Sequence, residues 1–387
     1  MKIICISHWR FPSEKTMAPY MMRVLEAFAH EGVEVELWAP RRRNTSELER
    51  TDPFVYHLIE PNFKLKKLPV IDVMPFVPGR IGFFLMLGSF IVSTFFKILF
   101  MRGRKHTVFY FFDLRDATLA HLLAPRTFSE IHMYYRSSVD FLNRRGFKKM
   151  QGIIAATKPL MTEIMRDYHV PEHKMLYAPC GVNFERFGTN TSRQEAREKL
   201  GLPQDEKIAL YVGHLFEVKG VNVLFKAHTG LRSGEKIYFV GGTDEDIEAF
   251  RQKWRAAGSP ASVVIAGRKP HQDIPLWLRA ADVLVIPNTA KEAAGAVESS
   301  PSKLMEYMAS GRPIVASDVP GIRDVLDESM GFYCEPDNPD ALARAIGAAL
   351  SDDAEAERRA AAARQAARGL GWDARARNLL AFINTIE

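Results

Sequence analysis

Short apolar runs alternate with stretches of helical spacing along the whole chain, and this alternation limits the fold more than any other feature. Residues 2–7 (KIICIS) suit a strand buried on both faces. The next stretch, YMMRVLEAFAHEG, has helical periodicity and stops at Gly32. Residues 33–40 (VEVELWAP) then read as a second strand. The pattern returns at residues 107–112 (TVFYFF), at a short strand ahead of His132, and at residues 152–157 (GIIAAT). Residues 177–187 (YAPCGVNFERF) read as a last strand running into a linker. A second series follows: residues 207–213 (KIALYVG), 236–242 (KIYFVGG), 262–267 (SVVIAG), 282–287 (DVLVIP) and 312–317 (RPIVAS). Strands spaced by helices imply parallel sheets covered by helices on both faces.

At 387 residues the chain exceeds one ordinary core. The fold class expected is α/β, with two doubly wound Rossmann-like domains over residues 1–182 and 183–368. An Ala-rich helix over residues 352–368 is broken at Gly369 and Gly371. Asp373 then starts a closing helix within residues 369–387, with an apolar stripe at Ala376, Leu379, Leu380 and Ile383. Cys5, Cys180 and Cys334 lack metal-type spacing and fit a reducing compartment. The first residues, MKIICISHW, lack a signal-peptide pattern, so a cytoplasmic chain is expected. The net charge of +6 is partly clustered at Arg41–Arg43 and around Lys64–Lys67, without the interleaved aromatics of a nucleic-acid surface. Residues 81–96 carry no charge and lie between Arg80 and Lys97. They fall short of the roughly 20 residues that span a bilayer. A buried core helix, a helix lying on an anionic membrane surface or lining a lipid-acceptor groove, and a membrane span remain open for them.

The densest chemistry lies at residues 298–318, ESSPSKLMEYMASGRPIVASD. Ser300 fits an N-cap, Pro301 the first helical position and Gly311 the residue past the helix end. The helix start then lies above the carboxyl end of the sheet, where free N–H groups and the dipole favour phosphate. Glu298 and Glu306 flank it, placed to accept hydrogen bonds from hydroxyls on either side of a diphosphate; solvated surface carboxylates are the alternative. Lys219 follows the strand that ends at Gly213, suited to neutralising phosphate. Arg268 and Lys269 follow the strand ending at Gly267, where their backbone is free to read a base edge.

With these motifs the chain resembles retaining glycosyltransferases of the GT-B fold, glycosyltransferase family 4. The resemblance rests on Glu298-x7-Glu306 with MASGRPIVASD, on GVNFERF, on YVGHLFEVKG, on VVIAG with AADVLVIP, and on the closing Gly-Trp-Asp helix. It implies two domains facing across a cleft, with the last helix returning to the first. It also implies Glu306 on the ribose hydroxyls and Glu298 on the donor sugar. Backbone groups of Ser299, Ser300, Ser302, Lys303 and Leu304 would meet sugar and diphosphate, and Lys219 the phosphates. Arg268 would sit beside the base and His132 beside the reacting carbon. His214 stands where the family often has arginine, which leaves phosphate neutralisation to Lys219, helped by Lys303. HWRFPSEKTMAPY replaces the usual glycine-rich loop, with Glu14 and Lys15 as acceptor-side candidates.

The activity so implied is transfer of a sugar from a nucleoside diphosphate to an acceptor hydroxyl with retained configuration, in surface polysaccharide or glycolipid synthesis. The diphosphate oxygen is itself able to take the acceptor proton. No cofactor and no metal is expected; Asp244, Glu245 and Asp246 read as helix-start acids. Expected partners are a nucleotide-sugar donor, a glycan or lipid-linked acceptor and an anionic membrane surface, not nucleic acid. A sugar-nucleotide epimerase and a non-catalytic sugar-nucleotide binder are the alternatives.

Overall fold

The computed structural model describes residues 1–15, 17–77, 79–133, 140–296 and 302–386, apart from the side chains of residues 140–142 and 294. The chain divides into two units. The first holds Met1–Ala156, Leu160–Ala178 and Trp372–Glu387, and the second holds Thr157–Pro159 and Pro179–Gly371.

The first unit carries β1 (Lys2–Ile6), β2 (Glu34–Pro40), β3 (Lys64–Leu68), β4 (Thr107–Phe111), β5 (Thr127–Ile131), β6 (Gly152–Ala155) and β7 (Met175–Tyr177). Their order is β3-β2-β1-β4-β5-β6-β7. All neighbours pair in parallel. The second unit carries β8 (Lys207–Val212), β9 (Glu235–Val240), β10 (Val263–Gly267), β11 (Val283–Ile286), β12 (Ile314–Ser317) and β13 (Phe332–Cys334), in the order β10-β9-β8-β11-β12-β13. It too is parallel throughout. The chain reverses direction across the sheet between β1 and β4, and again between β8 and β11. Doubly wound sheets open a ligand crevice at the carboxyl ends of such strand pairs.

Burial explains which strands the sequence reveals. Every residue of β4 is buried, and four of the five in β1. Such strands read as continuous apolar runs. β3 and β13 are edge strands and were not expected. β3 is KLKKL, with only Leu68 buried, so the basic cluster is an edge strand studded with lysine. β13 has three residues. The strand expected over residues 177–187 is a correction: β7 ends at Tyr177, and only Val182 forms an isolated bridge, to Gly371. Pro179 and Gly181 interrupt the extended run, and Phe184–Phe187 is a turn of helix capped by Asn183.

The closing helix, Trp372–Thr385, starts one residue before Asp373 and belongs to the first unit. It packs on the helix Met17–His30 through buried Arg375, Ala376, Leu379 and Ile383, and Arg377 bonds Glu31 at 2.7 Å. The uncharged segment forms a longer helix, Arg80–Leu99. Met86, Phe90 and Ile98 are fully buried in it, but Ile81, Phe84, Leu85, Val92 and Phe96 are exposed. The core-helix reading therefore holds for one face only.

Candidate functional site

The site of the second unit begins where β8 ends. Tyr211 is buried, and its hydroxyl donates to the His214 carbonyl at 2.7 Å, which folds the chain sharply over Gly213. Gly213 has φ +147°, and a Cβ there would stand 2.4 Å from the Lys303 Nζ. The ammonium of Lys303 thus lies against bare backbone at the strand end. It also sits 4.0 Å from the centroid of the Tyr211 ring, on its face. Further on, Gly220 has φ +69°, and a Cβ there would stand 1.6 Å from the Pro287 carbonyl oxygen at the end of β11. Only glycine lets the loop carrying Lys219 lie this close to the neighbouring strand end.

The helix Ser302–Ser310 brings in Lys303 and Glu306. It is anchored by Leu304, Met305, Tyr307, Met308 and Ala309, all fully buried. The Tyr307 hydroxyl accepts the Val212 N–H at 2.8 Å, which ties the helix to the end of β8. Gly311 closes the helix with φ +67°. Glu306 lies three residues beyond Lys303, on the same face.

Electrostatics set these groups apart. Burial, reinforced by the Lys219 charge, pushes the Lys303 ammonium down to about 7, against the pull of Glu306. Burial likewise pushes the Glu306 carboxyl up to about 7, although Arg186 and Lys303 favour its ionised form. Burial lowers Lys219 as well. Two lysines are therefore held close together in a poorly solvated corner that disfavours their charged forms, a setting that a polyanion would reverse.

The structure brings together Gly213, Lys219, Lys303 and Glu306. Arg268 and Lys269 stand at the end of β10, two strands from β8; Arg268 is exposed, and Lys269 Nζ lies 5.3 Å from the Trp277 ring centroid. The His214 ring stacks on Phe216 at 4.9 Å. Ser302 opens the helix, and the Leu304 side chain is fully buried in the core. Glu298, Ser299, Ser300 and the Pro301 cap lie outside the described residues. Asp244, Glu245 and Asp246 form the first turn of the helix Asp244–Ala256, with Asp246 in a capping box to Thr243. Among the described residues no cluster suited to a metal occurs.

In the first unit, His132 follows β5. Its Nε2 lies 2.8 Å from Oε1 of Glu130, which is fully buried. Glu130 also accepts from the hydroxyls of Tyr20 and, at 2.6 Å, Tyr110, and from Arg375 Nη2 at 2.8 Å. Burial alone would raise this carboxyl; Arg375, His132 and Tyr110 overcome that and hold it at about 2. Glu14, exposed near the end of a mostly buried loop after β1, pairs with Arg10 at 3.0 Å.

Sequence reasoning missed Glu130, Arg375, Arg186 and a buried His8–Asp116 pair. One signal was present: a glutamate inside the short strand TFSEI, two residues before a histidine and so on the same side of the extended chain.

Comparison places this geometry in a class. Two parallel sheets with reversing strand order and a closing helix on the first unit make a GT-B fold, and solved structures agree. Sucrose-phosphate synthase from Thermosynechococcus elongatus is similar, with a TM-score of 0.79 at 19% identity, covering 99% of this chain and 98% of that one. HepE of Anabaena, in complex with UDP, is similar with a TM-score of 0.76 at 14% identity, covering all of both chains. Within the second unit, residues 192–366 match the family Glycosyl transferases group 1. In sequence, a D-inositol 3-phosphate glycosyltransferase of Xylanimonas cellulosilytica is 32% identical over 237 residues, 59% of this chain and 55% of the relative. The chain spans about half the length of the curated relatives it matches.

Proposed function

We propose that the protein is a glycosyltransferase that moves a sugar from a nucleoside diphosphate to an acceptor hydroxyl with retained configuration. One observation carries this reading: Lys303 and Lys219 are held together at the end of β8, with Glu306 one turn further along the same helix face. A diphosphate fits the two cations and a ribose hydroxyl fits the carboxylate. When the bond from the anomeric carbon to the diphosphate oxygen breaks, its electron pair passes to the diphosphate. Fixed lysines stabilise that growing charge more than the ground state. They supply the positive charge that a divalent ion supplies elsewhere, so transfer proceeds without one. A product in surface polysaccharide or glycolipid synthesis accords with one curated relative, a putative teichuronic acid biosynthesis glycosyltransferase of Bacillus subtilis. The test is release of nucleoside diphosphate from a panel of nucleotide sugars in the presence of a chelator. Turnover of one donor with its anomeric configuration kept supports the reading. A need for added magnesium or manganese removes the metal-independent part, and conversion of the donor sugar without transfer would identify an epimerase.

The low value of Lys303 makes binding dependent on pH. Between about pH 7 and 9 the free lysine is largely neutral, and a bound diphosphate favours its ammonium form, so binding takes up a proton. Affinity then falls by up to roughly tenfold per pH unit above 7. Below 7 the lysine is already charged and its contribution is constant. Calorimetry in buffers of different ionisation enthalpy reads the proton directly. An affinity flat from pH 7 to 9 contradicts this assignment.

The first unit offers a membrane-facing surface. Phe84, Phe96 and Phe100 are 55%, 52% and 79% exposed on one side of the apolar helix and just past its end. Exposed Lys64, Lys66 and Lys67 on β3, with Arg80, Arg102 and Lys105, supply charge suited to anionic headgroups. The opposite face of the helix is packed into the core, so it lies on the bilayer rather than crossing it. Anionic vesicles should carry the chain in flotation better than neutral ones. Phe84→Glu with Phe96→Glu should weaken this at least about tenfold, as expected for removing two aromatic rings from an apolar interface. Equal sedimentation away from both vesicle types contradicts it.

A further inference from the structure

We propose that an arginine-lined cavity at the amino end of the second unit's sheet binds a small phosphate monoester. The site is separate from the diphosphate site at the end of β8 and does not depend on the transferase reading.

Lys207 opens β8, Asp282 stands directly before β11, and Arg312 and Pro313 stand directly before β12. All of them line one cavity of about 480 Å³, together with residues of the helices Pro339–Ser351 and Asp353–Arg368. These strands are parallel, so the cavity lies at the opposite end of the sheet from Gly213 and Lys303. Nucleotide crevices of doubly wound sheets lie at the carboxyl ends.

Positive charge gathers there without matching negative charge. Arg193, Lys207, Arg279, Arg312 and Arg364 line the cavity. The carboxylate of Asp282 is already taken up by Arg193 and, at 2.6 Å, by Arg197. Asp353 and Glu357 also line it, but both are exposed and form no ion pair with the described residues. Among the described residues no carboxylate pairs with Lys207, Arg279, Arg312 or Arg364.

Backbone carbonyls hold the guanidiniums in place and leave N–H groups over. Arg312 donates from Nε and Nη2 to the Arg279 carbonyl, at 3.0 and 2.7 Å. Arg279 donates from Nε to the Thr191 carbonyl at 2.6 Å and from Nη1 to the Ser310 carbonyl at 2.8 Å. Arg364 Nη2 reaches the Gly188 carbonyl at 2.6 Å. A Cβ on Gly311 would stand 2.9 Å from Arg364 Cδ and 3.8 Å from Arg279 Nη1, so these two side chains meet over bare backbone. Arg364 Nε is buried and forms no hydrogen bond, an unmet donor among fixed cations. Arg279 Nη2, Arg312 Nη1 and Lys207 Nζ form none with the described residues either, and they stay open to solvent.

A phosphate answers all of these groups at once. Its tetrahedral oxygens match guanidinium forks, and its charge meets cations that are already positioned. Burial and the Arg364 charge lower Arg279; burial with the Arg279 and Arg193 charges brings Arg312 down to about 10, against the pull of Asp282. A bound dianion relieves that crowding. The cavity has room for more than the bare ion, and Pro313, Ala349, Leu350, Ala356 and Ala360 give it an apolar wall. The ligand is therefore a phosphate carried on a small organic body.

Hydrogen exchange of the full chain, read by mass spectrometry at constant ionic strength, locates the site without a variant. Glycerol 3-phosphate at up to about 10 mM should slow exchange in residues 188–197 and 349–364, and glycerol or chloride should not. Phosphate held at the donor site slows exchange around Lys303 instead, so the two sites are read apart. Calorimetry then takes Lys303→Ala as the background and adds Lys207→Gln or Arg364→Gln. Lys207→Gln removes an ammonium that bonds nothing in the fold, so the fold should stand. Each added change should weaken glycerol 3-phosphate roughly 5- to 100-fold, the range for one charge-assisted hydrogen bond. Inorganic phosphate should bind more weakly than the ester. Exchange unchanged in both segments, slowing that chloride reproduces, or an affinity unchanged in both variants overturns the proposal. Inorganic phosphate binding as tightly as the ester overturns the assignment to a monoester.

Discussion

Lys303→Ala should lower sugar transfer, as kcat/KM, by roughly 10²–10³-fold, the usual effect of removing one fixed group that stabilises a developing anion. The ammonium lies at the bare strand end beside Gly213. Because charge on the diphosphate grows as the bond breaks, turnover should fall more than nucleoside diphosphate binding does. A plain nucleoside, which has no phosphate, should bind the variant as it binds the wild type. Lys219 is coupled to this group, since its charge helps hold Lys303 low. Lys219→Ala should therefore also weaken diphosphate binding while moving the pH-dependent loss of affinity to higher pH. Wild-type turnover in Lys303→Ala would place the phosphates elsewhere.

Arg375→Met should destabilise the first unit by about 3–5 kcal/mol, the typical cost of leaving one partner of a buried ion pair alone. Glu130 is fully buried and Arg375 nearly so, on the closing helix. Removing the guanidinium leaves a carboxylate with only Tyr20, Tyr110 and His132, and frees the helix that packs on Met17–His30. The sign with pH follows from a folded carboxyl held at about 2, below its ordinary value. Its stabilisation is fully present above about pH 5 and is lost as pH falls through 4 towards 2. In Arg375→Met the carboxyl should rise, and the loss of stability at acid pH should flatten. Urea melts at pH 7 and pH 4 measure both effects; equal stability of variant and wild type at pH 7 contradicts the network.

The parallel architecture was legible because its central strands are buried on both faces and so carry unbroken apolar runs, as β1, β4, β8 and β11 do. β3 hid behind its lysines and β13 behind its brevity: edge strands need no second apolar face. β7 was displaced because Pro179 and Gly181 stop the extension that the residues around Tyr177 suggest. In the site, Lys219 and Glu306 could be anticipated because motif and helix phase fix where they point. The contact of Lys303 with the backbone at Gly213 could not, since it depends on how far the loop closes over β8. His8–Asp116 and Glu130–Arg375 were illegible for a related reason. Each joins residues more than a hundred positions apart, and sequence spacing says nothing of such pairs.

The central claim is that the end of β8, with Lys303, Lys219 and Glu306, holds a nucleoside diphosphate. Titration calorimetry at pH 7 and pH 9 tests it most directly, comparing UDP, GDP and ADP with uridine, guanosine and adenosine on wild type and Lys303→Ala. At least one diphosphate should bind the wild type far more tightly than its nucleoside, take up a proton at the higher pH, and lose most of that advantage in Lys303→Ala. A wild type that binds no diphosphate better than its nucleoside, or a Lys303→Ala variant that binds it equally well, contradicts the account.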